Sequence, residues 1–213
     1  MVPILVSAVS AAIFMAFLAL GVSALRRHWN RRRETWNTFA SRHDWGFSEK
    51  WGAVEVQGLF LGQQLSVLTE SRGNGKHGRE VTVLRLDLGM TLPPELTLSP
   101  EGLGDKFLKL FGGKDEEVGD EELDRALDVK RLSPESRAAL RAPRVREHLL
   151  SLHARCARFS IEAGLLEAEW RGVPDTVDAL EALVAPALRL AEALHEAAGK
   201  HRESTGQTSP GAR

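Results

Sequence analysis

The chain has 213 residues, 28 Lys+Arg against 29 Asp+Glu for a net charge of −1, and 43% hydrophobic residues. That length supports one domain with a genuine core, the charge balance excludes the broad basic field of a general nucleic-acid binder, and a single cysteine, Cys156, excludes a disulfide framework. The charges are unevenly placed: from Val2 to Leu25 there is no ionisable side chain, residues 26–33 carry +5, and Asp115 to Asp128 carry −7.

The run Val2–Leu25, 24 residues long, predicts a transmembrane helix. At ~1.5 Å per residue it would reach roughly 36 Å, enough to cross ~30 Å of hydrocarbon with some tilt. A cleaved signal peptide would need a basic stretch before a shorter apolar one, whereas here the arginines follow the run. Arg26, Arg27, Arg31, Arg32 and Arg33 put that flank in the cytoplasm and the N-terminus outside, by the positive-inside rule. With Trp29 they are candidate lipid-headgroup contacts, since an indole rests at headgroup level while guanidinium groups meet phosphates. Ala8, Ala12 and Ala16 share one helix face and could pair two spans in a homodimer.

Trp29, Trp36, Phe39, Ala40 and His43 continue at helical spacing, predicting a basic juxtamembrane helix over 26–44. Beyond it the period becomes 2. Val54 to Phe60, Leu65 to Thr69 and Glu80 to Leu88 read as three strands of an antiparallel meander, joined by a turn at Leu61 to Gln63 and a loop at Ser71 to Gly78. Gly73-Asn74-Gly75-Lys76-His77-Gly78 is glycine-rich with a lysine, but a phosphate-binding P-loop would continue into Ser/Thr and a helix, not a strand. A mobile hairpin loop fits better. Leu96 to Leu98 reads as a short strand, and Asp105 to Phe111 has a brief helical pattern stopped by Gly112-Gly113.

From Asp115 to Asp128 stand eight acids against Arg125 alone. The alternating order of a calcium loop is missing, so a solvated acidic loop is expected. Its functional reading is a docking surface for a basic protein partner through Asp115, Glu116, Glu117, Asp120, Glu121, Glu122 and Asp124. Leu123 to Arg131 fits helix or strand, with Leu127 and Val129 favouring strand. Ser133 and Pro134 open a helix that breaks at Pro143 and ends near Cys156. Phe159 to Ala163 and Leu165 to Arg171 form a hairpin about Gly164. Val177, Leu180, Val184, Ala187, Leu188, Ala191 and Leu194 make the apolar stripe of a long last helix, kinked at Pro186, before a disordered tail over 199–213.

The expected architecture is α+β: an N-terminal transmembrane helix over 1–25, then a cytoplasmic domain over 45–198 with one antiparallel sheet covered by helices. His148, His153 and Cys156 do not share one face of their helix, and no nucleophile or metal spacing stands out, so no catalytic residue, metal or cofactor is expected. The order of span, basic flank and meander, with Gly119-Asp120, Leu123-Asp124, Leu127 and Val129 in a GDxxLDxxLxV pattern, resembles a loose group of uncharacterised bacterial single-pass membrane-anchored proteins. The resemblance implies a bacterial inner-membrane location and brings no activity. The function expected is a membrane-tethered interaction or scaffold domain. The alternative is a tethered enzyme or ligand sensor with a site assembled from distant loops, to which Asp120, Asp124 and His77 could contribute.

Overall fold

The computed structural model describes residues 2–73, 78–100 and 116–206; the side chains of 2–14, 16, 19, 24 and 200–206 are outside that description. Its first element, α1, is one uninterrupted helix from Val2 to Arg42. The apolar run and the juxtamembrane segment are therefore a single rod. Among the described residues no helix is long and apolar enough to cross a membrane, so the helix is shown and the span is not. In the lower part of α1, Trp36, Phe39 and Ala40 follow helical spacing and are fully buried. Phe39 meets the rings of His43 and Trp45 edge-on at 5.1 and 5.7 Å, which fixes the exit from the helix.

Among the described residues eight strands follow in one sheet: β1 Gly46–Lys50, β2 Ala53–Phe60, β3 Gln63–Arg72, β4 Arg79–Asp87, β5 Thr97–Pro100, β6 Leu127–Lys130, β7 Arg158–Glu162 and β8 Leu165–Arg171. Their order is β1-β2-β3-β4-β8-β7-β5-β6, and every neighbouring pair is antiparallel. The expected meander and later hairpin are present, joined edge to edge through β4 and β8. The strand β1 was not foreseen, because Gly46-Phe47-Ser48-Glu49-Lys50 has no apolar alternation and sits at the sheet edge, mostly exposed.

The helices are α2 Glu121–Ala126, α3 Pro134–Arg141, α4 Pro143–Arg155 and α5 Val177–Gly206. The stretch 123–131 divides at Ala126: Asp120 caps α2 through the amides of Glu122 and Leu123, while Leu127, Asp128 and Val129 are all buried and pair with β5. Ser133 caps α3 as expected, and the break at Pro143 separates α3 from α4. The last helix passes Pro186 without interruption and continues to Gly206, into the stretch read as a tail. The expected helical pattern at 105–111 lies outside the described residues.

One face of the sheet, with Val56, Val67, Leu84, Ala168 and Phe159 in register across five strands, packs against α1, α4 and α5. The other face carries a charged ladder. There Arg72, Arg79 and Arg85 interleave with Glu70, Glu167 and Glu169; Arg85 reaches Glu70 and Glu167 at 2.8 Å each, and Arg72 reaches Glu169 at 3.1 Å. This ladder roofs Val81 and Val83, which are fully buried although they point away from the helices. Long arginine stems cover apolar surface while their heads pair in the solvent layer.

Candidate functional site

Five arginines cluster where α1 enters the domain. Successive helix residues are about 100° apart, so five arginines within eight residues cannot face one way. Arg32 shares the face of Trp36 and Phe39 and turns inward, its side chain only 5% exposed. Its Nη1 donates to both carboxylate oxygens of Glu80 on β4 at 2.9 and 3.2 Å, and its guanidinium carbon lies 5.2 Å from the Trp29 ring centroid. Nε and Nη2 are buried and have no partner among the described residues. Arg26, Arg27, Arg31 and Arg33 stay exposed, and Arg33 approaches Glu49 on β1 at 3.4 Å. Trp29 is half-buried: a Cβ on Gly52, in the β1–β2 turn, would stand 3.2 Å from its Cη2. The six expected headgroup residues thus divide into three that point outward, Arg26, Arg27 and Arg31, and three, Trp29, Arg32 and the exposed Arg33, that tie the collar to the sheet.

Beside them is a cleft of about 710 Å³ between Arg27, His28, Arg31 and Arg32 on one side and Glu80 and the 172–176 turn on the other. That turn is held by Gly172 N donating to Glu80 O at 3.0 Å and by Thr35 Oγ1 donating to Asp175 O at 3.0 Å. Thr176 caps α5, its Oγ1 accepting from Ala179 N at 3.2 Å, so the positive end of a long helix dipole lies at the same place. Cations outnumber Glu80 and Asp175, which suits the cleft to an anion.

The β1–β2 turn closes this end. Trp51 and Gly52 both have positive φ, 55° and 79°, the requirement of a two-residue type I′ hairpin. Trp51 is 96% exposed. Sequence reading passed over it because β1 has no strand pattern; a Trp-Gly pair just before the alternation of β2 was the available signal.

The acidic stretch is largely occupied by its own fold. Asp120, besides capping α2, accepts from Arg146 Nε at 2.7 Å, and this bond holds its carboxyl below the ordinary range while raising the arginine. Glu122 binds the same guanidinium through Nη2. Asp124 accepts from Val118 N at 2.6 Å and Gly119 N at 3.0 Å, and Glu116 accepts from Leu132 N. Glu117 and Glu121 remain outward; Asp115 lies outside the described residues. The GDxxLDxxLxV pattern reads accordingly as a folding unit: Gly119 turns at φ 85°, Asp120 and Asp124 hold backbone amides, and Leu123, Leu127 and Val129 are buried. Of the residues suggested for an assembled enzyme site, Asp120 and Asp124 are engaged in this way, and His77 lies outside the described residues.

In α4, His153 packs edge-on against Phe159 at 6.4 Å, and Cys156 Sγ donates to Leu152 O at 2.8 Å. Burial pushes the Cys156 thiol up to about 11, which leaves it a neutral packing residue at pH 7. Among the described residues no three His, Cys, Asp or Glu side chains converge as metal ligands. In comparisons with protein-family models, with curated proteins and with solved structures, nothing matches this chain.

Proposed function

We propose that the protein is a single-span membrane protein whose α+β domain lies on the cytoplasmic side as a non-enzymatic interaction or scaffold module, its collar against the headgroups. One observation carries the reading. Met15, Phe17, Leu18, Leu20, Val22 and Leu25, on the upper part of α1, are large apolar side chains left exposed. So large a cluster calls for a cover, and the 24-residue run without an ionisable side chain is long enough for the cover to be a bilayer. The basic flank at residues 26–33 supports the cytoplasmic side. The bacterial inner membrane is supported by the resemblance alone.

The expected result is that the full chain stays with the membrane pellet after alkaline carbonate extraction, and that a C-terminal reporter is active only in the cytoplasm. Release into the supernatant would overturn the anchor; activity of a periplasmic reporter would overturn the orientation. Docking of a basic protein partner uses the outward carboxylates Glu117 and Glu121, and pairing of spans uses the face of Ala8, Ala12 and Ala16. A tethered anion sensor is the second reading, and the unmet Nε and Nη2 of Arg32 at the cleft favour it.

A further inference from the structure

We propose that Trp51, at the tip of the β1–β2 hairpin, inserts its indole into the interface of an anionic bilayer, giving the domain a second attachment beside the helical span. The inference rests on the membrane reading above and adds to it a residue and a pose.

The tip is at the right depth. Trp29, which touches the Gly52 position of the turn, is four residues past Leu25, about 6 Å along a helix at ~1.5 Å per residue. That is the headgroup layer, where tryptophan is enriched because its ring is apolar and its N–H polar. The tip is also held in place: Arg33 on α1 approaches Glu49 on β1, next to the turn, at 3.4 Å. The hairpin therefore cannot drift from the collar without losing this pairing and the Trp29 contact.

What Trp51 presents is unlike the other turns. Leu61-Gly62 and Ala163-Gly164 have the same pair of positive φ values, so the backbone is common to these three turns and the indole is particular to this one. Both of those turns lie at the opposite end of the strands, away from the collar. Lys50 precedes Trp51 in the turn, and on α1 Arg26 lies about one helical turn before Trp29; both are exposed. An exposed ring bordered by cations matches an apolar boundary bearing anionic phosphates, and a neutral surface would leave those cations without counter-charge.

The test uses the full chain reconstituted into vesicles, with Cys156→Ser as background and a polarity-sensitive fluorophore on Trp51→Cys or, as reference, Leu61→Cys. Both positions are in exposed turns. In vesicles containing phosphatidylglycerol the label at 51 is expected to blue-shift relative to detergent while the label at 61 does not; brominated lipids should quench only the former. Equal emission at 51 and 61 in vesicles from which carbonate cannot extract the chain would overturn the second attachment and leave the anchor standing. Extraction by carbonate would overturn the anchor instead. An equal blue-shift in purely phosphatidylcholine vesicles would overturn the assignment to anionic lipid.

Discussion

At the scale of single residues, two aromatic side chains fix the entrance to the sheet, and a glycine makes room for one of them. Trp45 lies over Gly58, where a Cβ would collide with its ring and stand 2.7 Å from Nε1, and that nitrogen donates to Leu59 O at 3.2 Å. The ring also stacks on His43 at 4.3 Å, and His43 is bound in turn to Glu181 of α5 at 3.0 Å. Gly58→Ala should therefore displace Trp45 and loosen the join of α1, β2 and α5, costing about 1–3 kcal/mol, the range of an overpacked core. Denaturant unfolding of the variant in detergent measures this, and unchanged stability would show that the ring has somewhere else to go. The glycine was visible in the sequence as part of the β2 alternation, but its reason was not, since the ring above it comes from thirteen residues earlier. The inward turn of Arg32 was equally illegible: a run of arginines after an apolar stretch looks uniformly solvated until the helix phase set by Trp36 and Phe39 selects one of them.

At the scale of elements, periodic segments were legible and segments held by side-chain-to-backbone bonds were not. The strands β2, β3, β4, β7 and β8 and the helices α3, α4 and α5 announce themselves by period, because each buries one face. The α2–β6 unit has no room for a period; four acids that count as surface charge in a sequence instead hold amides and Arg146 in the fold. Its pH response follows. The Asp120 carboxyl is lowered, chiefly by Arg146, so the stability it contributes is present above its unfolded value near about pH 4 and is lost as pH falls through the lower folded one. Asp120→Asn keeps a capping side chain but gives up the charge. The variant should melt at a lower temperature than wild type at neutral pH, with the gap narrowing as pH falls below about 4 and wild type loses the same contribution. Parallel melting curves for the two proteins would sink this account if the gap stayed constant.

For the whole molecule, the near-neutral net charge conceals unlike parts: an apolar rod, a basic stretch where α1 meets the sheet, and an acidic unit built around β6 at the sheet's far edge. The rod and the domain share one helix, so their rotational phase is fixed by the residues between them. Inserting two residues after Arg33 would turn the upper rod, with Trp29 and Arg32, by about 200° relative to Trp36 and Phe39. Resistance to carbonate should persist, whereas the blue-shift at position 51 should disappear, because Arg32 and Arg33 leave Glu80 and Glu49 and the hairpin loses its footing beside the collar. A retained shift would mean that the tip finds the interface without the collar.

The unbroken course of α1 through Arg42 also bears on mechanics. On the membrane reading proposed above, an apolar run of roughly 36 Å in a hydrocarbon layer of ~30 Å would accommodate the mismatch by leaning about 30°. With no flexible joint below it, that lean passes directly to the sheet. If α1 spans a bilayer as proposed, a thicker or more ordered membrane would stand the rod straighter and lift one side of the domain from the lipid, so that bilayer thickness would be converted into the angle at which the domain's surfaces are offered.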